Sequence, residues 1–68
     1  MSDQQLLEAA EQIETKFKIA LLTHHITQRE MASMLGTGPQ QVNRAIHGDM
    51  SPLSRNLRNK MKHILNID

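Results

Sequence analysis

The sequence predicts an all-α, compact four-helix domain, and three features carry that prediction. Apolar residues recur at helical spacing in four separate stretches, no stretch alternates with the period of two that a half-buried strand requires, and Gly, Pro and hydroxyl residues stand between the stretches where helices start and stop. The palette agrees: Phe17 is the single aromatic residue, which leaves burial to Leu, Ile, Met, Val and Ala. At 68 residues and 7.8 kDa the chain is one domain over residues 1–68, near the lower size limit for independent folding and too small for a large catalytic cleft. It has no cysteine, so neither disulfides nor thiolate metal sites supplement the core. Helix packing, with or without a partner chain, must hold it.

The first helix is expected over about residues 3 to 22. Ser2 and Gln5 have the spacing of a capping box, and Leu6, Ala10, Ile13, Phe17, Ala20 and Leu21 then form an inward stripe. Glu14 and Lys18 stand at i,i+4 on the outer face, and His24-His25 closes the helix. A second capping box, Thr27 with Glu30, opens a short second helix with Met31, Ala32 and Leu35 on its apolar side, until Gly36 stops it. Gly38 then stands at an N-cap position and Pro39 at the first helical position, where its missing N–H costs nothing. Val42, Ala45 and Ile46 face inward in this third helix, and Gly48 ends it. Ser51 and Pro52 repeat the start signal for a fourth helix whose inward stripe is read as Leu53, Leu57, Met61, Ile64 and Leu65.

The start Met1-Ser2-Asp3-Gln4-Gln5 lacks the basic and apolar regions of a secretory signal, and no stretch reaches the apolar length of a membrane span, so the expectation is a soluble, cytoplasmic chain with no membrane partner. The net charge of +1 conceals a division. Residues 1–34 hold three basic and five acidic side chains, whereas residues 35–68 hold five basic and two acidic ones. The basic half suits a polyanion, although solvated helix faces also collect Lys and Arg. Arg58, Lys60 and Lys62 are read as serving solubility.

The middle pair of helices carries the functional signal. Two short helices joined by a brief Gly-containing turn, over about residues 27–48, form a helix-turn-helix pattern, in which the second helix enters the major groove of B-DNA. That recognition helix spans about residues 39–47 and presents Gln40, Gln41, Asn43 and Arg44. Gln and Asn can bond adenine bidentately, and Arg can do the same to guanine. Phosphate contacts are expected from Thr27 and Gln28 at the start of the second helix and from Ser51, Ser54 and Arg55 beyond the recognition helix.

The stretch Thr27-Gln28-x-Glu30-Met31-Ala32-x-x-Leu35-Gly36, continuing to Val42-x-Arg44-Ala45-x-x-Gly48, resembles the lambda-repressor-like family of Cro and phage or plasmid regulators. The resemblance extends with less specificity over the first helix and over Ser51 to Ile64. It implies a DNA-binding domain in which Gln28 contacts phosphate while Gln40, Gln41 and Arg44 face bases. The chain departs from the family pattern at Gly38, where Ser or Thr is common, and at Pro39, where many relatives place a polar base-reader, which shifts readout toward Gln40 and Arg44. The family's frequent fifth helix is absent or merged into residues 52–66. Residues 27–31 with Gly36-Thr37-Gly38 are also similar to the Trp repressor helix-turn-helix, but its tryptophan pocket finds no counterpart, so no corepressor or other cofactor is expected.

His24, His25, His47 and His63 include no i,i+4 pair, so no metal site is expected, and the histidines are read as surface or capping residues. The methionines read as core filler, with Met50 in a loop. No Ser-His-Asp set, phosphate-cradling Gly-rich loop or acid pair points to an enzyme. The sequence therefore predicts a small transcriptional regulator that binds double-stranded DNA, as a homodimer on a palindromic operator, with Leu7 or the run Ile64-Leu65-Asn66-Ile67 supplying the dimer surface. A protein-interaction module, such as an antirepressor or an antitoxin-like partner, is the alternative, and the low net charge favours it.

Overall fold

The four helices of the computed structural model are α1 (Asp3–Thr23), α2 (Gln28–Leu35), α3 (Pro39–Ile46) and α4 (Pro52–Leu65). It describes residues 3–67, without the side chains of residues 3, 4, 6 and 7; the cap expected at Ser2, the inward position of Leu6 and the surface role of Leu7 lie outside what is described. The arrangement is all-helical, and the helix starts follow the side-chain signals. Thr27 accepts a hydrogen bond at Oγ1 from the Glu30 N–H (3.0 Å), and Glu30 Oε1 accepts one from the Thr27 N–H (3.3 Å), which completes the expected capping box. Ser51 Oγ accepts from the Ser54 N–H at 3.3 Å at the start of α4. Gly38 offers no side chain, so α3 begins on its carbonyl alone, with Pro39 in the first turn.

All four helices end by the same device. His25, Gly36, Gly48 and Asn66 take φ values of 56°, 68°, 92° and 55°, in the left-handed region. The N–H of each following residue turns back five positions: Ile26 to Leu21 O, Thr37 to Ala32 O, Asp49 to Arg44 O and Ile67 to Lys62 O, at 2.9 to 3.1 Å. Carbonyls that the helix leaves unpaired are thereby satisfied, and the chain reverses direction within two or three residues. Ile26 and Ile67, each just past a reversal, fold back against the core.

That core takes Phe17, Ala20 and Leu21 from α1, Met31 and Ala32 from α2, Val42, Ala45 and Ile46 from α3, and Leu57, Met61 and Leu65 from α4. Ile13, Leu35 and Ile64 pack half-buried around it. The α4 stripe differs from the expected one in its first turn. Leu53 is 47% exposed, and Ser54 is buried in its stead, so the inward row runs Ser54, Leu57, Arg58, Met61 and Leu65. The physical reason is polar: the start of α4 leans over the loop after α3, and the inward position there meets a carboxylate and not an apolar neighbour. The run 64–67 also turns out to belong to the chain's own core, since Leu65 is buried and Ile64 and Ile67 pack against it. Leu65 is therefore committed to the core, whereas Ile64 and Ile67 are only partly covered.

The two glycines with the largest positive φ should respond differently to substitution. A Cβ on Gly48 would lie 3.0 Å from Ala10 Cβ and 3.1 Å from Ala10 Cα, whereas a Cβ on Gly36 would meet nothing within 4 Å. Urea unfolding should show Gly36→Ala losing about 1 kcal/mol for backbone conformation alone. Gly48→Ala should lose about 2–4 kcal/mol, because α1 must also move. Equal losses would contradict the close approach of α1 to this turn.

Candidate nucleic-acid interface

Burial of Val42, Ala45 and Ile46 fixes the rotation of α3 and therefore which side chains it shows to solvent. Gln40, Asn43, Arg44 and His47 are exposed and follow one another at helical spacing, so they share one face. Gln41 stands off that row and is half-buried. Of the four side chains expected to face bases, three are thus grouped and one lies on the flank. His47 joins the row, although its Nδ1 lies 3.4 Å from Glu14 Oε2, which turns the ring toward α1. Glu14 is held more tightly by Lys18, at 2.6 Å, and that hydrogen bond is the chief cause of its lowered pKa.

The expected phosphate donors separate into two groups. Thr27 is exposed and Gln28 half-buried at the start of α2, and Arg55 is exposed on α4. Ser54 is different: it is 1% exposed, and its hydroxyl donates to Asp49 Oδ2 at 2.6 Å. Its expected role as a surface phosphate donor is corrected to an internal one, because the buried proton is committed to the carboxylate. Ser51 is exposed, but its hydroxyl also donates to Asp49 Oδ2, at 2.6 Å. The Asp49 pKa is lowered, first by the Ser51 hydrogen bond, then by that of Ser54, and to a smaller extent by the charge of Arg44.

Arg58 is a further residue that the sequence reading placed wrongly. Its side chain is not a solvated charge but sits 7% exposed under the loop that follows α3. Nη1 donates to Ala45 O at 2.9 Å and to Asp49 O at 2.6 Å, and Nη2 contacts Met50 Sδ at 3.8 Å. Burial lowers its pKa and the Asp49 charge opposes that, yet a guanidinium remains charged at any ordinary pH. The cation lies at the C-terminal end of α3, where unpaired carbonyls concentrate negative partial charge. A signal was present in the spacing: Ser54, Arg58, Met61 and Leu65 stand at steps of four, three and four. Reading arginine as solvent-facing by type concealed it.

A long-range polar contact that the sequence does not reveal ties the end of α1 to the end of α4, since His24 Nε2 lies 2.8 Å from Leu65 O. Beside the α2 start, Lys18, Leu21, Leu22, Ile26 and Gln28 line a largely apolar groove. Ile19 and Leu22, on the outer face of α1, are 57% and 75% exposed. Among the described residues, no group of three or more His, Asp or Glu side chains is placed to hold a metal ion. Among the described residues, no helix is long and apolar enough to cross a membrane.

Two measurements follow from this geometry. Arg58→Met keeps much of the volume but removes the donor to Asp49 O and leaves Ala45 O with the Gly48 N–H alone, and should lower unfolding free energy by about 2–4 kcal/mol; a loss near zero would mean that the guanidinium contributes nothing net. The lowered Asp49 pKa gives a sign as well. Its stabilisation is fully present above the ordinary carboxylate range and is lost as pH falls through the lowered value. The stability difference between the wild type and Asp49→Asn should therefore narrow on acidification, and a difference independent of pH would contradict the hydrogen-bond assignment.

Comparison with protein-family models, curated proteins and solved structures finds no match for this chain, so a functional reading rests on these residues themselves.

Proposed function

We propose that this chain is a small sequence-specific DNA-binding protein, a transcriptional regulator of the lambda-repressor-like helix-turn-helix type, acting as a homodimer. The observation that carries the reading is the row Gln40, Asn43 and Arg44, exposed together on a short helix that is separated from α2 by three residues. Those side-chain types match the donor and acceptor edges of adenine and guanine in the major groove. Gln41, on the flank, would contact a base only at the edge of the footprint. Thr27 and Gln28 at the start of α2, with Arg55 on α4, would grip the phosphates and set register without choosing sequence. Ser51 is exposed, but its hydroxyl proton goes to Asp49, so it would reach a phosphate only by giving up that bond.

One eight-residue recognition helix reads few base pairs and neutralises few phosphates. Two copies on a two-fold symmetric operator, with half-sites about one helical turn apart, would supply the affinity that one lacks. A second reading, a protein-interaction module such as an antirepressor or antitoxin-like partner, draws support from the exposure of Ile19 and Leu22 on α1.

Selection of sites from random duplex DNA by the purified protein, near physiological salt, tests the proposal. An enriched palindrome bound by two chains is expected. On that duplex Arg44→Ala should lose about 1–3 kcal/mol and relax the preference at one base pair. Gln28→Ala should weaken all duplexes alike, and Arg55→Ala should in addition reduce the slope of log affinity against log salt by about 1. Absence of enrichment, with capture of a protein through Ile19 and Leu22, would favour the second reading.

A further inference from the structure

His47 is the member of the exposed α3 row to which the proposed contacts give no role. It follows Gln40, Asn43 and Arg44 at helical spacing and closes the helix, with half of its side chain open to solvent. One edge of the ring is engaged: Nδ1 lies 3.4 Å from Glu14 Oε2 on α1. The other edge, at Nε2, meets no protein partner among the described residues. Its position along α3 decides what that edge would meet. A recognition helix sets its N-terminal side chains on base edges. His47 lies about 10 Å further along the axis than Gln40. Since the major groove is about 12 Å wide, a helix that crosses it with Gln40 on the bases brings His47 to the phosphates that border it.

We propose that His47 is a further phosphate contact of the DNA complex, made as the imidazolium and positioned by Glu14, so that the protein takes up a proton as it binds. The inference rests on the DNA-binding reading. A carboxylate facing Nδ1 favours the neutral ring that carries its proton there, which leaves a lone pair at Nε2. That lone pair cannot donate to a phosphate oxygen. Protonation makes Nε2 a charged donor and keeps the Nδ1–H toward Glu14, so one proton turns an unfavourable edge into a favourable one. Linkage then fixes the sign: binding that takes up a proton strengthens as pH falls.

The other charges around the ring are constant over the range in which this happens. Glu14 and its partner Lys18 come from α1, Arg44 stands one turn back on α3, Asp49 follows two residues later, and Arg58 of α4 lies under that loop. Glu14 and Asp49 both have lowered pKa values, the first chiefly through the Lys18 hydrogen bond and the second chiefly through that of Ser51. Carboxylates, lysine and arginine keep their charge between about pH 5.5 and pH 8, where imidazole titrates.

The test measures binding to the selected duplex and to a scrambled one by fluorescence anisotropy, over a range of salt, at about pH 5.5 and about pH 8. It compares the wild type, His47→Gln, His47→Lys, Glu14→Gln and the control His63→Gln, whose imidazole is exposed on α4. The wild type should bind both duplexes about three- to tenfold more tightly at the lower pH, with a slope of log affinity against log salt steeper by about 1, for the one additional phosphate neutralised. His47→Gln should remove both differences and bind as the wild type does at the higher pH. His47→Lys should also remove them, but bind near the wild-type level of the lower pH. Glu14→Gln should narrow the pH effect, because an amide faces either neutral form of the ring and frees Nε2–H to donate. His63→Gln should keep the wild-type profile.

Binding by the wild type without dependence on pH, or a wild-type pH dependence in His47→Gln, would overturn the inference while leaving the DNA reading intact. A pH effect confined to the selected duplex would assign His47 to a base and overturn the phosphate contact. Loss of the effect in His63→Gln as large as in His47→Gln would overturn it in favour of net charge. A full effect in Glu14→Gln would overturn the positioning by Glu14. Failure of the wild type to bind either duplex at either pH would overturn both the inference and the DNA reading.

Discussion

The buried guanidinium of Arg58 is the interaction on which the arrangement around α3 depends. By donating to Ala45 O and Asp49 O it fastens the last turn of α3 and the loop after it to α4. An eight-residue helix has little stability of its own, and α3 begins without a side-chain cap. It is held by its inward residues, Val42, Ala45 and Ile46, and by this cation at its negative end. The clamp also fixes Asp49, which then organises Ser51 and Ser54 at the start of α4. One buried charge thus sets the direction of α3 and the polar surface beside it. With both carbonyls bonded to the same guanidinium nitrogen, the desolvation that opposes burying Arg58 is offset in place.

Economy of chain length explains the rest of the fold. Four left-handed closures, at His25, Gly36, Gly48 and Asn66, turn the chain within a few residues, so most of the chain remains available for helix. Only two of the four are glycine. Histidine and asparagine tolerate the conformation at a modest energetic disadvantage, and both positions are exposed, where a side chain meets no obstruction. Gly48 is different because α1 passes directly over it at Ala10. That contact brings α1 down onto the end of α3, so the first helix buttresses the turn that Arg58 secures from the other side.

Much of this was legible in the sequence because the relevant interactions are local. The Thr27–Glu30 capping box, the Ser51 cap, the prolines at 39 and 52 and the stops at Gly36 and Gly48 all involve residues within a few positions of one another, and each lies where its spacing places it. Helical periodicity likewise identified Phe17, Met31, Val42, Ala45, Leu57 and Met61 as core. What was not legible depends on contacts between elements. Arg58 and Ser54 are polar by type and buried by circumstance, and Leu53 is apolar but exposed for the complementary reason. The bond from His24 to Leu65 O joins residues 41 apart, beyond any local pattern. For the candidate site, spacing placed Gln40, Gln41, Asn43 and Arg44 outward, but could not show that Gln41 is half covered or that Asp49 binds the Ser51 and Ser54 hydroxyls.

The proposed function is a claim about which face of a small helical domain meets its partner. The outer row of α3 and the α2 start offer polar groups of the kinds that read bases and grip phosphates, whereas the outer face of α1 offers Ile19 and Leu22. The most direct test is an NMR titration of the isotope-labelled protein with its selected duplex, following backbone and side-chain amide signals. The account predicts that the largest shifts fall on Thr27, Gln28, Gln40, Asn43 and Arg44, with the signals of Ile19 and Leu22 unmoved. Shifts centred on Ile19 and Leu22, or a titration that leaves α3 unchanged, would contradict it.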